Sequence, residues 1–122
     1  MKLLVVDDSA TMRKIIMRTI RQSGFKVDEF LEAENGKEAL QVLSSNKVDA
    51  VLTDINMPEM NGLELLEKIR SQDETKDLPV IMITTEGAEN IVEKAKSLGV
   101  NGFIRKPFTP EKIGSALSSI LK

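Results

Sequence analysis

Four short stretches of this 122-residue chain carry residue types that can do chemistry. Asp7-Asp8-Ser9 follows the apolar run Leu3 to Val6. Asp54 follows Ala50-Val51-Leu52-Thr53, and Pro58 prevents that run from continuing. Thr84-Thr85 closes Val80 to Ile83, and Lys106-Pro107 follows Gly102 to Arg105. Each stretch stands at the end of a segment that reads as a strand. If those ends share one edge, three carboxylates, a hydroxyl and an ammonium converge there. Two like charges about 4 Å apart cost about 4 kcal/mol at an effective dielectric near 20, so the acids must take up protons or bind a cation. An oxygen-only donor set favours a hard divalent ion, Mg²⁺ first, with Mn²⁺ or Ca²⁺ as alternatives. Mg²⁺, a lysine and a hydroxyl suit the three oxygens of a phosphoryl group. The central carboxylate, Asp54, can itself be the nucleophile and form an aspartyl phosphate.

Each feature also has an ordinary reading. Asp-Asp-Ser after a strand is commonly a helix cap, Thr at a strand end caps the next helix, and a lone Lys is a surface residue. The chemical reading is favoured by their placement at the ends of four separate strands.

Composition narrows the chemistry. The chain has no His and no Cys, which removes imidazole acid–base catalysis, phosphohistidine chemistry, thiolate nucleophiles and zinc–thiolate sites. With 19 acids against 17 bases the net charge is −2, which argues against non-specific nucleic-acid binding. Four Phe with no Trp or Tyr leave the core to aliphatic side chains. The four apolar residues before Asp7 are too few for a signal peptide, and no run approaches membrane-spanning length.

The elements that must position these residues alternate regularly. After the strand Leu3 to Val6, Met12, Ile15, Ile16 and Ile20 recur at helical spacing, with Arg13, Lys14, Arg18 and Arg21 on the other side. Asp8 or Ser9 can cap this helix, and Gly24 ends it. A second strand lies between Lys26 and Ala33; Asp28, Glu29 and Glu32 interrupt it, which suits a sheet edge. Ala39, Leu40 and Leu43 mark the second helix, and Asp49 to Thr53 is the third strand. Leu63, Leu66 and Ile69 make the third helix, and Val80 to Thr84 the fourth strand. Ile91, Val92, Ala95 and Leu98 make the fourth helix, and Gly102 to Arg105 the fifth strand. Thr109 caps a fifth helix that begins at Pro110. Five strand–helix units in one domain predict an α/β fold, a parallel sheet covered on both faces. Ligands of such doubly wound sheets bind outside the carboxyl ends of the strands, where strand order reverses.

The ordered motifs V-V-D-D-S at Val5–Ser9, D-I-N-M-P-E-M-N-G at Asp54–Gly62, P-V-I-M-I-T-T-E at Pro79–Glu86 and G-F-I-R-K-P-F at Gly102–Phe108 resemble the receiver domain of two-component response regulators, closely the single-domain chemotaxis type. They span essentially the whole chain. The resemblance implies a flavodoxin-like, five-stranded parallel sheet of order 2-1-3-4-5 with five helices. It implies one receiver domain over residues 1–122 and no output domain. Asp54 is then the phosphorylated residue. Asp7 and Asp8 resemble the pair that holds Mg²⁺, Asp8 more directly and Asp7 through water, with Asn56 offering its backbone carbonyl. Lys106 resembles the lysine that pairs with phosphoryl oxygens, and Pro107 is expected after a cis peptide bond. Thr84 takes the switch hydroxyl position and Phe103 the switch aromatic position. Asn56 and Glu86 stand where the family tunes loss of the phosphoryl group. Three departures stand out: Phe103 where Tyr is frequent, Thr85 where Ala is common, and Asn61 for a frequent Asp.

The function so implied is a cytoplasmic, monomeric phospho-switch. A histidine kinase supplies the phosphoryl group to Asp54 in an Mg²⁺-dependent step. Thr84 and Lys106 gain partners only in the phosphorylated state, which biases the surface of the fourth helix, fifth strand and fifth helix. A flagellar motor switch protein, or another downstream protein, reads that surface; neither nucleic acid nor membrane is a partner. Such a protein is not an enzyme beyond catalysing its own phosphorylation and dephosphorylation. A phosphorelay intermediate, or a receiver fragment of a transcriptional regulator, is the alternative. An Mg²⁺-dependent aspartyl phosphatase is more remote, since such enzymes place nucleophile and acid two residues apart, whereas Ser9-Ala10-Thr11 follows Asp8. A flavin module would need a Ser/Thr/Gly-rich loop where Asp7-Asp8 would repel its phosphate.

Overall fold

The computed structural model describes residues 1–85 and 87–121. Five strands alternate with five helices: β1 (Lys2–Val6), α1 (Ala10–Gln22), β2 (Glu29–Ala33), α2 (Gly36–Ser45), β3 (Ala50–Thr53), α3 (Gly62–Ser71), β4 (Val80–Thr84), α4 (Glu89–Ser97), β5 (Gly102–Arg105) and α5 (Pro110–Ile120). All strand pairs are parallel, and the sheet order is β2-β1-β3-β4-β5, in agreement with the expected order. Strand order reverses between β1 and β3, so the ends of those strands flank the crevice. No helix among the described residues is long and apolar enough to cross a membrane.

Alternation along the central strands divides the core in two. Leu3 and Val5, Ala50 and Leu52, and Ile81 and Ile83 face one layer, where Ile16 and Ile20 of α1 meet Ile113 and Leu117 of α5. Leu4 and Val6, Val51, Val80 and Met82 face the other layer, built on Ala39 of α2, Leu65, Leu66 and Ile69 of α3, and Ala95 of α4. β1, β3 and β4 are buried on both faces, which explains their unbroken apolar runs. β2 is one of the two edge strands, and of the Lys26–Ala33 window only Glu29–Ala33 forms strand, paired with β1.

Helix starts follow their caps. Ser9 Oγ accepts from the Met12 N–H at 3.2 Å, Asn35 Oδ1 from Glu38 at 2.8 Å, and Thr109 Oγ1 from Lys112 at 3.2 Å. Of the two candidate caps for α1, Ser9 is used, and the Asp8 carboxylate remains available beyond β1. α4 differs from the other helices. Its cap position, Ala88, offers no side-chain acceptor, and only Ala95 of its residues is buried.

One expectation about α1 needs correcting. Arg13 does not lie on the polar side with Lys14, Arg18 and Arg21; it is 9% exposed, within the buried set. The physical reason is visible in the spacing. Arg13, Ile16 and Ile20 are separated by three and four residues and share one helical stripe. A charged residue inside that stripe is buried when it finds partners, and Arg13 has two.

Candidate functional site

Two-residue alternation carries the strand pattern past the strand ends. Asp7 stands two residues after Val5, Asp54 two after Leu52, and Lys106 two after Ile104. All three preceding residues face the α1–α5 layer, so the two acids and the lysine fall on that same face. Sheet-like bonds keep the two acids in line: the Asp7 N–H donates to the Ala33 carbonyl at 3.1 Å, and the Asp54 N–H to the Val6 carbonyl at 3.0 Å. The acidic side chains are therefore mounted on rigid elements.

The result is a tight charged cluster. Carboxylate oxygens of Asp7, Asp8 and Asp54 lie within 4.8 Å of one another. Lys106 Nζ donates to Asp7 Oδ2 at 3.1 Å and to Asp54 Oδ2 at 3.3 Å. The other oxygens are held by backbone: Asp7 Oδ1 accepts from Ser9 N–H at 2.9 Å, and Asp54 Oδ1 from Ile55 N–H at 2.7 Å. Asp7 is buried, Asp54 half-buried and Asp8 exposed, so the cluster opens to solvent on one side. Burial pushes the Asp7 carboxyl above the ordinary carboxylate value. The Ser9 N–H and Lys106 oppose that shift, and the Asp54 charge adds to it.

Three acids against one lysine leave the cluster negative. All donors are oxygens, their separations suit one cation, and the open side admits water. The set fits Mg²⁺, which keeps several waters and takes one or two carboxylates.

The loop after β3 is shaped by Gly62. A β-carbon there would lie 2.2 Å from the Asp54 carbonyl oxygen and 2.9 Å from the Ile55 α-carbon, so only glycine fits. The Gly62 N–H donates to the Ile55 carbonyl at 2.8 Å. Asn61 and Glu64 complete a capping box at the start of α3. Glu59, with φ of 68°, turns the loop.

The switch residues and the cis proline occupy the neighbouring strand ends. The Lys106–Pro107 peptide is cis. Thr84 is fully buried at the end of β4, and its carbonyl accepts from the Lys106 N–H at 2.9 Å. Phe103 pairs with Met82 across β4 and β5, and Thr84 lies two residues beyond Met82. Thr84 and Phe103 thus share the sheet face opposite Lys106. Asn56 is exposed in the loop after Asp54. Glu86 lies outside the described residues.

Sequence reasoning missed Arg13 as part of this neighbourhood. Its Nη1 donates to the Asp7 carbonyl at 2.6 Å, and its Nε to Glu32 Oε1 on β2 at 2.8 Å. The signal that could have found it is the helical stripe it shares with Ile16 and Ile20.

Fold and site together define a class: a doubly wound α/β domain with an acidic, lysine-braced cluster at the carboxyl ends of its strands. The family model for the response regulator receiver domain matches residues 3–118. The chain is 52% identical to the chemotaxis protein CheY1 of Helicobacter pylori, over 99% of this chain and 97% of that protein. It is 51% identical to a chemotaxis protein CheY homolog of Campylobacter jejuni, over 99% of this chain and 92% of the relative. The solved structure of the chemotaxis response regulator CheY4 of Vibrio cholerae superimposes with a TM-score of 0.85 at 34% identity, covering 98% of both chains. The chain belongs to the response regulator receiver domain family, and it is a receiver of the CheY-like kind.

Proposed function

We propose that this chain is a phosphoacceptor switch in chemotaxis signalling, with residues 1–122 acting as one receiver domain. The observation that carries the reading is the cluster itself: Asp54 beside Asp7, Asp8 and Lys106 at the point where strand order reverses. In this reading an Asp54 carboxylate oxygen attacks the phosphorus of a phosphohistidine on the kinase. The new O–P bond forms as the N–P bond breaks; the imidazole nitrogen keeps the electron pair and takes up a proton. Mg²⁺, when bound, offsets the charge of the phosphoryl oxygens. Asp7 and Asp8 hold it, with the Asn56 backbone carbonyl as a further donor. Lys106, now braced between Asp7 and Asp54, turns its ammonium to the phosphoryl group.

Switching depends on which groups exchange partners; Lys106 does not wait for phosphorylation to gain them, since its Nζ already donates to Asp7 and Asp54, and the phosphoryl oxygens replace those bonds. Thr84 turns its hydroxyl toward the phosphoryl oxygens, and Phe103, on the same sheet face, moves into the space released. The surface of α4, β5 and α5 then presents a different face to a downstream protein, with the flagellar motor switch as the leading candidate. Asn56 and Glu86 set how quickly water removes the phosphoryl group. The protein works as a cytoplasmic monomer and turns over only its own phosphoryl group. Support for the chemotaxis setting comes from relatives that carry that name over nearly the full chain.

The test is intact mass after incubation with an acyl phosphate, with and without Mg²⁺. One added phosphoryl group is expected in the wild type with Mg²⁺ and none in Asp54→Ala. An adduct of equal yield in Asp54→Ala would sink the assignment. So would a wild type that takes up neither phosphoryl nor beryllofluoride in the presence of Mg²⁺.

A further inference from the structure

β1 leaves one buried polar group to be satisfied at its end. Its pairing with β2 stops at Val6 and Ala33, and its pairing with β3 stops at Val6 and Thr53. The Asp7 N–H still reaches the Ala33 carbonyl, but the Asp7 carbonyl lies beyond both ladders. A buried carbonyl without a donor is costly. Arg13 supplies the donor from one turn into α1, at 2.6 Å through Nη1. A guanidinium donor makes this a charge-assisted bond, stronger than one from an amide.

The guanidinium does not stand alone. Its Nε donates to Glu32 at 2.8 Å. The Arg13 side chain is 11% exposed and that of Glu32 43% exposed, so the fork is held on its buried side and oriented from the rim. The Asp7 carbonyl and the Asp8 N–H belong to one planar peptide. A bond that fixes this carbonyl therefore fixes how both side chains leave the backbone. Asp7 and Asp8 are two of the three carboxylates in the cluster.

We propose that Arg13 is a positioning residue for divalent-ion binding: its guanidinium, oriented by Glu32, holds the Asp7–Asp8 peptide plane so that both carboxylates face the same point. This deepens the function proposed above and rests on it. Arg13 touches neither the ion nor the phosphoryl group; it acts through the backbone. Partners that orient ligating groups are worth about 10- to 100-fold in metal affinity.

The test is calorimetric titration of MgCl₂ into metal-free protein, alongside melting temperature and phosphoryl uptake as a function of Mg²⁺. Arg13→Met should raise the Mg²⁺ dissociation constant about tenfold or more. Phosphoryl uptake at saturating Mg²⁺ should stay within about threefold of wild type, because the residue shapes binding rather than transfer. Arg13→Lys can reach the carbonyl but cannot also bond Glu32, and should recover part of the affinity. Glu32→Ala, at a rim position, should give an intermediate loss. A folded Arg13→Met with wild-type Mg²⁺ affinity and only a lower melting temperature overturns the proposal, since that is a purely structural role. If Arg13→Met does not fold, Arg13→Lys decides: an affinity equal to wild type overturns it. A wild type that binds no Mg²⁺ overturns the proposed function as well. Wild-type binding that is lost in Asp8→Asn but unaffected by either Arg13 variant overturns this inference alone.

Discussion

The most consequential single residue besides Asp54 is Asp7, because it is both buried and charged. At 2% exposure it loses hydration, and that loss is the main reason its carboxyl titrates above the ordinary value. A carboxyl with a raised pKa in the folded state holds its proton more tightly when folded than when unfolded. Its stabilising contribution is complete below the unfolded pKa and is lost as pH rises through the folded one. Ionising the buried Asp7 in metal-free protein therefore carries a cost, which a bound cation offsets. Asp7→Asn should melt above wild type in chelator at pH 7. The difference should shrink toward zero on the acid side, and Mg²⁺ should reverse its sign. Thermal melts from pH 4 to 8, with chelator and with Mg²⁺, measure all three. An advantage that does not change with pH would mean that desolvation of Asp7 is not its source.

Among the elements, the β3–α3 connection is the most tightly constrained. It must carry the chain from Asp54, around Glu59, and back so that α3 starts directly against the Asp54 carbonyl. Gly62 makes that approach possible, and the Asn61–Glu64 capping box fixes the entry of the helix. Gly62→Ala has no flexible side chain to displace, only backbone at 2.2 Å. We expect a loss of about 2 kcal/mol or more, at the upper end of what overpacking costs, by urea denaturation. Phosphoryl uptake in the folded fraction should fall too, because the peptide that must shift is that of Asp54. A variant as stable as wild type would contradict the close approach. Removing only the cap, in Asn61→Ala, touches one N–H and should cost about 1 kcal/mol.

At the scale of the molecule, α4 is the helix held by the fewest buried residues. It buries only Ala95, and its start lacks a side-chain cap. Its two ends are held unequally. Beyond its C-terminus, Arg70 donates to the carbonyls of Leu78 and Gly99 and to Asn101 Oδ1, and that Asn101 oxygen also accepts the Val80 N–H. Before its N-terminus, Arg105 Nη2 donates to the Gly87 carbonyl at 2.8 Å. The end without a side-chain cap is the one that follows β4 and Thr84. Hydrogen exchange with Mg²⁺ and beryllofluoride should therefore change most in the first turn of α4, by about tenfold or more in rate, a coupling of about 1.4 kcal/mol. Residues near Ser97, anchored by Arg70, should change less. A response confined to the loops after β1 and β3 would leave the proposed switch without a moving part.

Much of this was legible in the sequence, and the reasons are local. Apolar runs marked the first, third, fourth and fifth strands, the acid-interrupted second strand was read only as a window, and Thr109-Pro110 marked a helix start, because caps and turns act over a few residues. The four chemical stretches were visible because polar residues that end buried strands need a reason to be there. Strand order in the sheet was not readable from periodicity; it came from the resemblance, and the fold bears it out. Two matters needed the tertiary structure, although for Arg13 the stripe shared with Ile16 and Ile20 already gave the buried side of α1. Arg13 has the composition of a solvent residue, and its burial depends on a carbonyl beyond β1 and a carboxylate on β2, 19 positions away in sequence. The need for glycine at position 62 depends on a helix start that folds back onto Asp54. Periodicity reports which face of an element is apolar. It does not report which buried backbone groups lack partners, because that depends on where separate ladders happen to end.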